Sequence, residues 1–272
     1  MYPEPVSALP CPPVTGCTTR RSPPPVTSLR RVLRVYVPRG FDLLIDLHCH
    51  TRERSDDSTA PAIELARKAR ADGLDAIALT DHDTFWPDDE INRISDEAGI
   101  LVLAGVEINT DGGHALVFGL NEYIFGMHRP TFLREQVDRV NGAMLMAHPY
   151  RRSLPFGVDP GTNGYDQALE RAIKGEFVRV VDGAEVINGR ATEIQNEFAR
   201  LLLVAVGTPT LSNSDTHSIE GIGHVATEFE RTVEDVPGLI VELQTGRFKP
   251  WTSPGWVATG MNPVKAKGKG LA

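Results

Sequence analysis

The chain has 272 residues, room for one large α/β domain or two small ones, and 28 basic against 36 acidic residues leave a net charge of −8. That balance excludes a wide basic face for nucleic acid, and no apolar run approaches the roughly 20 residues needed to span a bilayer. Cys11, Cys17 and Cys49 form no disulfide framework and the chain start lacks the apolar core of a secretory signal, so the expected compartment is the cytoplasm.

Residues 1–40 hold nine of the twenty prolines together with Arg20, Arg21, Arg30, Arg31, Arg34 and Arg39. Such a stretch buries too little apolar surface to offset its ordering entropy, and it reads as a disordered extension, or as a basic arm if it has a partner. From residue 41 to 250 short apolar runs alternate with helical periodicity, which marks the folded domain. Residues 251–272, glycine-rich and basic, read as a flexible tail.

Within the domain, Leu43-Leu44-Ile45 predicts a strand that delivers His48 and His50, two imidazoles at i and i+2 that strand alternation places on one side. Ser58-Thr59-Ala60-Pro61 predicts a helix start with capping hydroxyls, and Gly73 its stop. Asp75 to Leu79 is the next strand and delivers Asp81, His82 and Asp83. A helix over Asp88 to Ala98 ends at Gly99, and a strand over Ile100 to Val106 delivers Glu107. Asp111-Gly112-Gly113 predicts a hairpin that returns His114 beside Glu107. A helix near Thr131 to Val140 precedes the strand Ala143 to Ala147, which ends in His148-Pro149. After a helix near Tyr165 to Lys174, the strand Gly183 to Ile187 delivers Asn188 and Arg190. A helix over Thr192 to Leu203 leads to the strand Thr208 to Ser212 and then to Asp215 and His217. The strand His224 to Phe229 and a helix over Val233 to Thr245 close the domain.

Parallel strands joined by helices carry all their carboxyl ends on one face, where α/β proteins build their sites. Six of the eight histidines, His48, His50, His82, His114, His148 and His217, fall at or beside those ends, which points to a metal centre. Mixed imidazole and carboxylate ligation suits Zn, Mn or Fe better than Mg.

The segments Asp46-Leu47-His48-Cys49-His50-Thr51, Ser55-Asp56, Leu79-Thr80-Asp81-His82-Asp83-Thr84, Gly105-Val106-Glu107-Ile108, Ala147-His148-Pro149, Glu185 to Arg190 and Ser214-Asp215-Thr216-His217 resemble, in this order, the PHP (polymerase and histidinol phosphatase) domain family. The resemblance implies an α/β fold, a distorted (β/α)7 barrel, with two or three divalent ions in its mouth and metal-dependent phosphoesterase activity. The family's ligands correspond to His48, His50, His82, Glu107, His114, His148, Asp215 and His217, with Asp56 as a further ligand at the Ser-Asp position. Asp57 stands where many members have glycine, and the short segment between Glu107 and His148 lacks the insertion of larger nuclease-like and nucleotide phosphatase members.

Glu107, Asp215 and His217 are the expected catalytic residues, Glu107 as a bridging carboxylate because it has two oxygens where an imidazole offers one free nitrogen. Arg190, Arg151 and Arg152 are candidates for contact with phosphate, which an arginine fork reads well, and Asn188 is a candidate for hydrogen bonding to substrate. Asp81 and Asp83 are placed between orienting His82 and simple turn roles. His128 and His224 read as structural, Cys49 as a small core residue and Trp86 as packing. The expected reaction is hydrolysis of a small phosphomonoester or nucleotide by a metal-activated water. Trimming of short single-stranded nucleic acid is the alternative, and a non-catalytic metal-stabilised module the third reading. The expected partner is a small phosphorylated substrate and no membrane; the oligomeric state stays open.

Overall fold

The structure is a computed structural model and describes residues 43–260. The expected extension over 1–40 and the last part of the expected tail lie outside the described residues. The chain order is β1 (Leu43–Cys49), α1 (Ala62–Ala71), β2 (Ala76–Leu79), α2 (Asp88–Ala98), β3 (Leu101–Ala104), β4 (Val106–Thr110), β5 (Gly113–Phe118), α3 (Pro130–Arg139), β6 (Ala143–Met146), α4 (Asn163–Ile173), β7 (Gly183–Asn188), α5 (Glu193–Val206), β8 (Thr210–Asn213), β9 (Val225–Phe229), α6 (Val236–Thr245) and β10 (Phe248–Thr252).

This is the mixed α/β fold expected of a PHP domain, with its strands in two five-stranded sheets, β10-β9-β1-β2-β3 and β4-β5-β6-β7-β8. No single ladder closes a barrel among the described residues. The sheets instead touch along two seams. On one, His50 N–H donates to Thr216 O (3.0 Å); on the other, Glu107 N–H donates to Asp81 O (3.2 Å) and Asp83 N–H to Glu107 O (2.9 Å). Both seams are therefore closed by backbone next to the proposed ligands, which holds ligands from the two sheets at one mouth.

The predicted strand Ile100 to Val106 is broken at Gly105, where the chain leaves one sheet for the other. A β-carbon there would stand 2.6 Å from Phe118 Cε1 and 2.8 Å from Thr80 Cγ2, so the break is packed and admits no side chain. Gly105→Ala is expected to cost about 1–3 kcal/mol by overpacking. A urea denaturation midpoint equal to that of the parent protein would contradict this.

Between the sheets, Leu43, Ile45 and Leu47 of β1 pack against Leu116 and Phe118 of β5 and Leu145 of β6, with Leu239 and Leu243 of α6 in the same cluster. Cys49, by contrast, packs with Leu65, Ala66 and Ala69 of α1 in another cluster. The register between β1 and β2 shifts between Asp46 and Cys49, and this bulge reverses the side-chain alternation. Simple alternation would have put His48 opposite Leu47; the bulge lets apolar Leu47 and polar His48 both serve the space between the sheets.

Two local expectations are corrected. The hydroxyls of Ser58 and Thr59 do not cap α1. Ser58 Oγ donates to His50 O (2.9 Å) and Thr59 Oγ1 to His217 O (3.3 Å), while Glu53 accepts from Ala62 N–H (3.1 Å). Residues 251–260 are tied down: Trp251 and Thr252 complete β10 against β9, Ser253 N–H donates to His224 O (2.8 Å) and Gly260 N–H to Ala191 O (3.1 Å). Composition carries no record of such ladder partners. No helix among the described residues is long and apolar enough to cross a membrane.

Candidate metal centre

Every proposed ligand leaves the end of a strand or its following loop. β1 delivers His48 and His50, the segment after β2 His82, β4 Glu107, β5 His114, the segment after β6 His148, and the segment after β8 Asp215 and His217. His148 and Asp215 adopt left-handed backbone angles, φ 27° and 53°, which L-residues rarely take and which cost on the order of 1–3 kcal/mol each. That strain turns both side chains off the strand ends.

Glu107 is the centre of the arrangement and is fully buried. Its Oε1 lies 2.7 Å from His114 Nδ1 and 3.0 Å from His148 Nε2. Its Oε2 lies 3.1 Å from His48 Nε2, 3.1 Å from His50 Nε2 and 3.2 Å from His82 Nδ1. None of those three nitrogens meets Oε2 in a hydrogen-bonding direction, and Asp215 Oδ1 is likewise buried with no hydrogen-bond partner.

These atoms fit metal ions. His48 Nδ1–H donates to Glu185 Oε1 (2.8 Å), which leaves a lone pair on Nε2, and that nitrogen faces His50 Nε2 at 3.0 Å and Asp215 Oδ1 at 3.5 Å. Lone pairs that converge in a dry pocket repel unless a proton or a metal ion sits among them. Ligand atoms on one tetrahedral Zn-type ion stand about 3.3 Å apart, within the range found here. The described residues offer four overlapping donor groups: His48, His50 and Glu107; His48, His148 and Asp215; His82, Glu107 and His114; and His50, Asp57, His82 and His217. Shared donors make this a candidate multinuclear site.

Eight of the nine ligand candidates thus come together, all but Asp56, which belongs to no donor group among the described residues. Its neighbour Asp57 takes that place, with Oδ2 2.9 Å from His217 Nε2 and 3.7 Å from His82 Nε2. The loop between His50 and Ser58 has no periodicity, so no pattern tells which of two adjacent, exposed carboxylates reaches the histidines.

Of the substrate candidates, Arg151 Nη2 lies 2.6 Å from Asp215 Oδ2, and Arg190 Nη1 lies 2.7 Å from His217 Nδ1 and 3.8 Å from Asp215 Oδ1. Arg152 is exposed and lines a side cleft with Gly112, Arg171 and Phe177. Asn188 is buried, and its amide donates to Glu185 Oε2 (2.9 Å) and Asp215 Oδ2 (3.2 Å), so it holds carboxylates and has no donor left for a substrate. Asp81 does not orient His82: it accepts from Thr51 N–H (2.7 Å), Ser55 Oγ (2.6 Å) and Trp86 Nε1 (2.8 Å). Ser55 in turn lies 3.3 Å from His50 Nδ1, so Asp81 positions His50 through the serine. Asp83 binds Asn109 instead. Glu185, which lies in a segment of the family resemblance but is given no role from sequence, accepts from His48 Nδ1, His148 N–H (2.8 Å), Asn188 and Asn213 Nδ2 (3.0 Å).

The PHP domain family matches residues 46–202, more than half of the chain, and a PHP-associated segment matches residues 193–248. The chain belongs to the PHP domain family. A 78-residue stretch is 40% identical to a 5'-3' exoribonuclease of Haemophilus influenzae, covering 28% of this PHP chain and 28% of that protein's length. Among solved structures, it resembles a two-domain protein from Bacteroides vulgatus containing a predicted PHP-like metal-dependent phosphoesterase, with TM-score 0.55 and 20% identity over 80% of this chain and 67% of that one. It also resembles PsfC from Pseudomonas syringae, with TM-score 0.54 and 16% identity over 78% and 92% of the two chains. At those identities the likeness speaks for the fold.

Electrostatics in the PHP chain follow from its carboxylates. Burial opposes charging His50, but Asp215 and Glu107 override it and hold the imidazole up at about 9; burial is likewise outweighed at His48, by Glu107, Asp215 and Glu185. Burial and the His50 charge push His217 down to about 4, and burial lowers His148 and His82 as well. Burial raises the Asp46 carboxyl to about 7 against hydrogen bonds from Ser214. Without a cation, His50 thus keeps a proton below pH about 9, which an incoming metal must displace. Metal uptake at pH 7 is expected to release protons and to weaken as pH falls. Titration calorimetry in two buffers of different ionisation enthalpy reads this, and identical apparent enthalpies would contradict it.

Proposed function

We propose that this PHP protein is a metal-dependent phosphoesterase that hydrolyses a small phosphomonoester or a nucleotide. The observation that carries the reading is Glu107, a buried carboxylate whose two oxygens each face a different set of imidazoles. Two or three ions of Zn, Mn or Fe suit this imidazole-rich set, held by His48, His50, Asp57, His82, Glu107, His114, His148, Asp215 and His217. When bound, such ions lower a water's pKa from near 16 to about 7 and offset charge on the phosphoryl oxygens.

The chain's own residues supply the rest. Arg151 uses one arm of its fork on Asp215, and the other N–H groups can take phosphoryl oxygens. Arg190, beside His217, offers a second cationic group from the segment after β7. Glu185 and Asn188 hold His48, His148 and Asp215 in place, so the donors need little reorganisation when substrate enters.

The test uses metal-reconstituted protein on p-nitrophenyl phosphate and a nucleotide panel, with His48→Ala and Asp215→Ala as controls. Unchanged turnover in both variants would remove the site. A metal effect on melting temperature alone, with no turnover, would favour the non-catalytic module. The exoribonuclease likeness favours a second reading, trimming of short single strands, and higher activity on oligonucleotides than on mononucleotides would select it.

A further inference from the structure

Asp81 is fully buried and meets no cation among the described residues, so its carboxylate depends on the hydrogen bonds it accepts. Oδ1 accepts from Thr51 N–H (2.7 Å) and Ser55 Oγ (2.6 Å), and Oδ2 accepts from Thr51 Oγ1 (3.0 Å) and Trp86 Nε1 (2.8 Å). These donors use the lone pairs a carboxylate offers. The Ser55 hydroxyl has a single hydrogen, and Asp81 takes it. The serine oxygen is left to accept, from His50 Nδ1–H at 3.3 Å and from the His82 backbone N–H at 3.4 Å. A proton on Nδ1 puts the lone pair of His50 on Nε2, the nitrogen that stands 3.1 Å from Glu107 Oε2. Ser55 therefore sets the ring of one ligand candidate and the backbone of another.

Thr51 and Ser55 belong to the segment between His50 and Asp57. Trp86 reaches Asp81 from elsewhere, the segment that opens α2. It is 7% exposed and packs in a cluster with Leu65, Leu79 and Ile91, a place that phenylalanine could fill if packing were its whole role. One face of the indole is held in turn: the Arg54 guanidinium stands 4.4 Å over the ring, and Arg54 Nη2 donates to Glu90 Oε1 of α2 (2.8 Å). Arg54 lies on the same segment as Thr51, Ser55 and Asp57. Stack and indole N–H together fasten that segment to the start of α2.

We infer that Trp86 is a positioning residue of the metal centre, whose indole N–H holds Asp81 so that Ser55 presents His50 Nε2 and the His82 backbone to an ion. The inference rests on the metal-centre reading above. Trp86 acts through Asp81 and Ser55 and not on the ion. A buried carboxylate that loses one of its donors turns to regain it, and here that turn would draw Ser55 away from His50.

The experiment measures Zn(II) affinity by chelator competition on the full chain, on Trp86→Phe, on Ser55→Ala and on the double variant, with circular dichroism to establish folding. Loss of the partner that orients a ligand lowers metal affinity about 10–100-fold, so Ser55→Ala is expected in that range and Trp86→Phe, one step further out, at about tenfold. The double variant is expected to match Ser55→Ala within about twofold, because the route from Trp86 to His50 is already cut. Parental affinity in Trp86→Phe, or losses that multiply in the double variant, overturns the inference, since a tryptophan that only packs acts without regard to Ser55. If Trp86→Phe does not fold, Arg54→Met decides in its place, at a side chain 23% exposed. A loss of about twofold or more, the size a cation over an aromatic ring gives, upholds the inference, and parental affinity overturns it. If the parent protein takes up no Zn(II), the metal reading fails by itself. The His50 ring resonances of the metal-free protein then decide: movement in Trp86→Phe that is absent when Ser55 is already alanine upholds the link, and no movement, or equal movement in both backgrounds, overturns it.

Discussion

Glu107→Gln is expected to lower kcat/KM by a thousandfold or more and to leave the purified protein short of metal. The substitution keeps the volume of a fully buried side chain but replaces one oxygen by an amide and removes the charge. An amide has a single acceptor oxygen, so it cannot face His114 and His148 on one side and His48, His50 and His82 on the other as the carboxylate does. His48 now holds the Glu107 carboxyl well below the ordinary range against the effect of burial, with hydrogen bonds from His114 and His148 adding to it. Loss of the shared ligand removes transition-state stabilisation of several kcal/mol, and about 4 kcal/mol is a factor of a thousand. Metal analysis with steady-state kinetics checks this, and circular dichroism establishes that the fold is kept. Full metal content with parental turnover would falsify the assignment of Glu107.

Glu185→Ala should be the most destabilising single change at the site. Glu185 is nearly fully buried, and removing its carboxylate leaves His48 Nδ1, His148 N–H, Asn188 Nδ2 and Asn213 Nδ2 facing a cavity. Breaking a buried charged network from one side costs about 3–5 kcal/mol. Because His48 also loses the acceptor that sets its tautomer, metal affinity is expected to fall about 10–100-fold. Burial works against ionising Glu185, but the His48 charge overrides it and depresses the carboxyl. Its stabilisation is therefore complete above the ordinary glutamate range and is lost only as pH falls through the lowered value. A denaturant titration and a chelator competition measure the two effects. Parental values in both would show that Glu185 neither supports the fold nor orients His48.

Much of this site is legible before folding. His48, His82, His148 and Asp215 each follow a short apolar run, and a residue that closes such a run in an alternating strand and helix pattern must sit at the strand-end face. The hairpin signal Asp111-Gly112-Gly113 foretells His114 beside Glu107, and the two meet at 2.7 Å. The parity of β1 was not legible, because the bulge between Asp46 and Cys49 depends on the ladder with β2. Nor was the break at Gly105, which exists because Phe118 from a later strand occupies the space where a side chain would go.

The amino-acid order determined the alternation of strands and helices and eight of the nine candidate ligands, since both depend on residues a few positions apart. Tertiary structure alone decided that Asp57 and not Asp56 reaches His217, that Asn188 binds carboxylates, that Arg151 rests on Asp215, and that Glu185 holds His48 from a strand 137 residues away. These choices are made by the packing of two sheets against each other, which brings distant side chains within hydrogen-bond reach and which no local periodicity encodes.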